Sequence, residues 1–186
     1  SYQWSTCDKY GFIKTSSIKN LSEQNLSLSI LDGFQNILPW GLDEGIQSST
    51  SNLADAYKRN ELDFDSKIGI YALSATIVDR AEPSEALKSN VVFHLGLGSN
   101  KVLLSSNQLD KFRKGHQLRE ELDVKAERGA YFINSDFSLE QNEKKEWLFA
   151  ADINKSSSDI ATLKNEIITN NNLIKEIKKE ILNSSN

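Results

Sequence analysis

The run Ile68-Gly69-Ile70-Tyr71-Ala72-Leu73-Ser74-Ala75-Thr76-Ile77-Val78 sets the first constraint on the fold, because it is apolar at odd and even positions alike. A strand with that pattern is buried on both faces and so sits centrally in a sheet. Asn90 to Leu97 repeats the character. The connection between them, Asp79 to Lys88, is charged, and Pro83 biases Glu82 away from helix. Two such runs joined by a charged loop predict a sheet.

Flanking segments add strands around this centre. Tyr2 to Ile18 is rich in aromatic and β-branched residues and reads as one or two short strands. Leu26, Leu28 and Ile30 alternate with Ser27 and Ser29, the period of a half-buried strand. With the polar stretch Lys19 to Asn25 as the turn, the two predict a hairpin. Leu31 to Gly41 continues that strand into a shaped loop, since its glycines and Pro39 interrupt regular structure. From Ser48 to Glu61 the spacing of Leu53, Ala54 and Tyr57 predicts a short helix with Ser51 as N-cap, and Leu62 to Ser66 an acidic loop. Lys101 to Ser105 is expected as an edge strand, and Asn107 to Gly115 as a helix stopped by Gly115. The charged stretch His116 to Arg128 follows, and Ala130 to Ile133 and Glu146 to Ile153 are the last two strands.

Beyond them the pattern is helical. Ser157 or Ser158 caps the start before Asp159, and Ile160, Leu163, Ile167, Ile174, Ile177 and Ile181 fall on a heptad seam. The low helix propensity of Thr169 to Asn172 predicts a break. The organisation is therefore a β domain over 1–155 and a helical linker over 156–186. With no Met and a helical pattern running to its end, the chain is expected to be a piece of a longer protein.

Charge and apolar run length narrow the function classes. The formal charge is −4, from 26 acidic and 22 basic side chains with no basic concentration, which speaks against nucleic acid. Apolar runs fall short of the roughly 20 residues that span a bilayer, so no membrane partner is expected. The single cysteine, Cys7, excludes an internal disulfide and a multi-cysteine metal site. The compartment stays open, with the cytoplasm as the favoured setting.

Chemistry-bearing residues are sparse. His94 alternates with apolar neighbours and is expected to be a satisfied core histidine, and neither it nor His116 has a ligand partner at metal spacing; no metal and no cofactor is called for. No Gly-x-Ser-x-Gly elbow is present, and nothing around Cys7 marks a nucleophile. Gly96-Leu97-Gly98 lacks the third glycine and the helix start of a dinucleotide loop, and reads as a strand-ending turn. Glycoside hydrolysis needs only two carboxylates, for which Asp79, Glu82 and Glu85, or Asp55 and Glu61, are candidates. Their neighbours Arg80, Lys58 and Arg59 make solvated or paired acids the plainer reading. Trp40 can present its indole face to a sugar or cap the core. Candidate substrate-binding residues are thus Trp40, Tyr57, Arg59, Arg80 and Glu85, with no catalytic set. Asn20, Asn25 and Asn183 each begin an Asn-x-Ser triplet, a pattern that a chain rich in Asn and Ser produces by chance.

Four segments carry a resemblance: Leu31-Asp32-Gly33-Phe34-Gln35-Asn36-Ile37-Leu38-Pro39, Asp55-Ala56-Tyr57-Lys58-Arg59-Asn60-Glu61, Ala81-Glu82-Pro83-Ser84-Glu85-Ala86-Leu87-Lys88 and Arg128-Gly129-Ala130-Tyr131-Phe132. They resemble the amino-terminal region of large bacterial carbohydrate-active proteins related to cellobiose phosphorylase and cyclic β-glucan-processing enzymes. The resemblance implies a two-layer antiparallel β-sandwich of the supersandwich, galactose-mutarotase-like kind, then linker helices, then a helical barrel that holds the catalytic acid. That barrel has no counterpart in this chain, and no catalytic residue of the family maps onto a position here.

The expected fold is mainly β: a two-layer antiparallel β-sandwich with short inserted helices and a C-terminal helical linker. The expected function is that of a non-catalytic module in a phosphorylase or hydrolase acting on β-linked glucans or related oligosaccharides, its partners being that substrate and the helical barrel. One alternative is a stand-alone carbohydrate-binding module anchored by Trp40, with Tyr57 and Arg59 beside it. Another is an interaction protein forming a homo-oligomer through the Ile160–Ile181 seam, whose plainer use is to pack on its own sandwich.

Overall fold

The computed structural model describes residues 1–75, 87–98 and 100–184. In chain order the elements are β1 (Tyr2–Cys7), β2 (Gly11–Lys19), β3 (Leu26–Ile37), α1 (Glu44–Ser49), α2 (Ser51–Ala56), β4 (Lys58–Leu62), β5 (Gly69–Leu73), β6 (Ser89–Leu95), β7 (Asn100–Leu103), α3 (Leu109–Arg113), β8 (Asp123–Lys125), β9 (Gly129–Leu139), β10 (Lys144–Lys155), α4 (Ser157–Thr169) and α5 (Leu173–Ser184). The strands form two antiparallel sheets, ordered β1-β2-β10-β6-β5-β4-β8 and β3-β9-β7. The fold is a mainly β sandwich with short inserted helices and a helical C-terminal segment.

The apolar side chains explain the layering. Tyr71, Val92, Trp147 and Phe149 on the inner face of the large sheet meet Val102, Tyr131 and Ile133 of the small one. On the outer face of the large sheet, Ile13, Val91, Phe93 and Leu148 are buried beneath the two C-terminal helices. The seam residues Ile160, Leu163, Ile167, Ile174, Ile177 and Ile181 all pack into that layer. The apolar stripe is therefore used within the chain, as its plainer reading expected. Lys164 pairs with Asp63 at 2.8 Å, and Glu166 receives Lys9 at 2.6 Å and Tyr10 at 2.9 Å, which holds α4 against the sheet. On the outer side of the small sheet, Leu109 and Phe112 around α3 cover Leu103, Ala130 and Phe132.

Several expectations need correction. Leu26–Ile30 does not form a hairpin with the opening strands: β2 pairs with β1 and β10, whereas β3 pairs with β9 in the other sheet. The switch is made at Asn20, whose buried Nδ2 donates to the carbonyls of Gln24 (2.8 Å), Leu139 (3.2 Å) and Glu140 (3.1 Å), turning the chain across the sandwich. Gly33 does not interrupt β3, which runs on to Ile37 with an irregularity at Asn36, where φ is 57°. The helix expected over Ser48–Glu61 is two short helices that end at Ala56, after which Lys58–Leu62 is a strand between β5 and β8. Its inward positions are Lys58, Asn60 and Leu62, so polar residues hide the two-residue period. The strand over Ile68–Val78 spans Gly69–Leu73, with Ile70 and Ala72 only half-buried; residues 76–78 lie outside those described. The cap of α4 is Ser156 rather than Ser157 or Ser158. Its Oγ accepts from Asp159 N at 3.3 Å while Asp159 Oδ2 accepts from Ser156 N at 2.8 Å, a capping box.

The two long sides of the sandwich are closed differently. On one, the segment before β8 straps the sheets together: Glu121 N donates to Val102 O at 3.0 Å and Leu62 N to Leu122 O at 2.9 Å. The Glu121 carboxylate also accepts from the amides of Leu104 (2.8 Å) and Ser105 (2.9 Å), satisfying backbone donors beyond β7. On the other side, between β2 and β3, Lys14 and Trp147 of the large sheet reach Asp32 of the small one, and a cleft opens there.

Candidate functional site

Strand register determines what lines this cleft. Tyr2, Ser16 and Trp147 lie directly across from one another on β1, β2 and β10, and Trp4, Lys14 and Phe149 form the next row on the same face. From the facing sheet, Asp32 reaches between them. Its Oδ1 accepts from Lys14 Nζ and, at 2.9 Å, from Gly33 N, while Oδ2 accepts from the Trp147 indole at 2.8 Å. The cleft, ≈ 350 Å³, is lined by Tyr2, Lys14, Ser16, Ile30, Asp32 and Trp147. Aromatic surface continues along its rim. Tyr2 is 70 % exposed, Trp4 55 % and Phe12 57 %, and Trp4 stacks on Phe34 with ring centroids 5.4 Å apart. Tyr2, Trp4 and Phe12 thus expose aromatic surface on one face of β1 and β2.

None of these residues was singled out from sequence. The available signal was the pair Tyr2 and Trp4, two residues apart in a strand and hence on one face.

The sequence-predicted candidates lie elsewhere. Trp40 sits in the turn between β3 and α1, and at 38 % exposure it neither seals the core nor projects fully. Tyr57 is half-buried at the end of α2. Arg59, on β4, is committed to Glu61 at 2.9 Å and Asp123 at 3.2 Å. Tyr57 and Arg59 are thus not successive residues of one helix. Asp55 is likewise paired, with Lys58 at 2.6 Å. Arg80 and Glu85, with Asp79 and Glu82, lie outside the described residues.

His94 sits 8 % exposed at the centre of the sandwich, with Nδ1 2.8 Å from the Tyr131 hydroxyl and Nε2 2.8 Å from Asn100 Nδ2. Tyr131 donates its one proton to Lys67 O at 2.5 Å, so Nδ1 is the donor to Tyr131, and Nε2 accepts from Asn100. Both nitrogens of the neutral ring are satisfied. Burial, with the nearby Lys67 charge, pushes the imidazole pKa down from 6.5 to about 4. The unfolded state therefore takes up a proton as pH falls below 6.5, whereas the folded state does not until about 4. Stability is expected to fall across that window by about 3 kcal/mol, at ~1.4 kcal/mol per pH unit, and to level off below it. Urea unfolding at pH 6.5 and 4.5 checks this. His94→Gln should flatten the slope, and an unchanged slope would assign the pH dependence to other groups.

Three of the four resembling segments assemble at one end of the sandwich. Phe34, Gln35 and Ile37 of the first pair with Tyr131, Ala130 and Gly129 of the last, and Arg128 lies 3.7 Å from Asp55 of the second. Asn60 joins them, its Nδ2 donating to Glu127 O at 3.3 Å. No family model matches this chain, and no curated protein matches it in sequence.

Proposed function

We propose that this chain is a non-catalytic β-sandwich module of a protein that cleaves or phosphorolyses β-linked glucans or related oligosaccharides. The observation that carries the reading is the meeting of the Leu31–Pro39, Asp55–Glu61 and Arg128–Phe132 segments at one end of a mainly β sandwich. The last strand, β10, leads into the two C-terminal helices α4 and α5, the order in which that architecture places its linker helices. Asp55 and Glu61 are each held by a cation, which favours a structural use of both.

The test is turnover. Incubated with cello-oligosaccharides, with and without inorganic phosphate, the chain is expected to release no glucose or glucose phosphate. Release that disappears in Glu85→Gln would overturn the proposal and make the chain an enzyme. The half-exposed Trp40 supports a second reading, in which the module itself anchors a glucan. On that reading calorimetric titration with cellotetraose shows binding, weakened about tenfold in Trp40→Ala. An unchanged affinity removes Trp40 from the surface.

A further inference from the structure

The cleft between β2 and β3 contains a hydrogen-bonding set that is only partly engaged among the described residues. Ser16 is only 4 % exposed, yet its Oγ has no hydrogen-bond partner among the described residues. A buried hydroxyl left without a partner is destabilising, by about 1–3 kcal/mol, and native proteins seldom retain one. Lys14 offers three N–H donors, directed to Asp32 and, at 3.4 Å, to Gly33 O. One donor remains. Among the described residues Asp32 Oδ2 accepts from the Trp147 indole alone and keeps a lone pair. The charges of Lys14 and Asp32 cancel, so the site favours a neutral ligand over an anion or a cation.

A donor, an acceptor and a two-way hydroxyl, side by side, match the vicinal hydroxyls of a sugar. Tyr2 stands in register with Ser16, and its ring is open to solvent at the rim, where a pyranose C–H face can stack. The cleft volume of ≈ 350 Å³ falls at the lower end of small-molecule sites, which run from about 300 to 1,000 Å³. We infer that this cleft is a binding subsite for one neutral pyranose ring, held by Lys14, Ser16 and Asp32 with Tyr2 stacked on its face. The choice of glucose as that ring rests on the function proposed above; the preference for a neutral polyol rests on the cleft alone.

The experiment titrates the full chain with cellobiose, myo-inositol and inorganic phosphate by calorimetry, in the parent and in Ser16→Ala, Tyr2→Ala and Trp40→Ala. Cellobiose is expected to bind, about tenfold more weakly in Ser16→Ala and Tyr2→Ala and unchanged in Trp40→Ala. Ser16→Ala removes an unpaired buried hydroxyl, so its melting temperature should equal or exceed the parent's. A fall of several degrees would assign Ser16 a structural role and overturn the inference. Cellobiose binding that only Trp40→Ala weakens overturns the cleft and leaves the module reading standing. Myo-inositol binding as tightly as cellobiose, with both lost in Ser16→Ala, supports the cleft and counts against the glucan reading. Binding of phosphate alone, or of none of the three, overturns the cleft.

Discussion

Gly33→Ala is expected to abolish the cooperative fold. A Cβ at this position would lie 1.9 Å from Tyr131 O and 2.8 Å from Phe132 Cα, both backbone atoms of β9, the central strand of the small sheet. No side-chain rotation relieves a clash with backbone, so the two strands must separate. That breaks the register from Asp32↔Ile133 to Phe34↔Tyr131 at the middle of the sandwich. The loss should exceed about 4 kcal/mol, in the range reserved for severe packing defects and comparable with the whole stability of a small domain. It also reaches the cleft, because Gly33 N donates to Asp32 and Gly33 O accepts from Lys14. Gly41→Ala is the control: φ there is +77°, but a Cβ meets nothing within 4 Å, and about 1 kcal/mol of backbone strain is the whole expected cost. A Gly33→Ala chain that unfolds cooperatively at the parent's urea midpoint would refute the β3–β9 register.

The second large effect is expected at Asp55. Lys58 is 1 % exposed, its ammonium donating to Asp55 Oδ1 and Gln47 Oε1, each at 2.6 Å. Removing the carboxylate in Asp55→Ala leaves a buried cation with a single neutral acceptor, which typically costs about 3–5 kcal/mol. Replacing both partners, as in Asp55→Ala with Lys58→Met, removes the desolvated charge as well and should recover most of that loss. The urea midpoints of the parent, both single variants and the double variant form the cycle that measures the coupling. If Asp55→Ala loses less than about 1 kcal/mol, water or another group reaches the Lys58 ammonium when the carboxylate is gone.

These two sites differ in how far sequence reveals them. Gly33 lies in a strand that alternation announces over Leu26–Ile30, but the close approach of Tyr131 belongs to a partner about a hundred residues away. Lys58 lies in a segment whose residues are all good helix formers or polar, and only the partners of β4 make it a strand. Propensity is a weak prior that tertiary pairing overrides. The strands Gly69–Leu73 and Ser89–Leu95 were legible because their runs are apolar at both parities, although Ile70 and Ala72 are covered only in part. The break at Asn170–Asn172 was equally legible, since poor helix formers there cluster between two apolar seams. The cleft was not. Lys14, Ser16, Asp32 and Trp147 are ordinary residues in three strands, and only the pairing of β1, β2 and β10 opposite β3 brings them together.

Local periodicity thus announced the main apolar strands and the two C-terminal helices of this chain, and that the helical stripe would seek an apolar surface. Backbone sterics and the burial of alternate side chains act over a few residues, and sequence displays them directly. The tertiary structure alone decided which sheet each strand joined, that the polar segment Lys58–Leu62 became a strand, and that one side of the sandwich was strapped while the other stayed open. Those choices depend on contacts between residues far apart in the chain, whose energies exist only once the sheets have closed on each other.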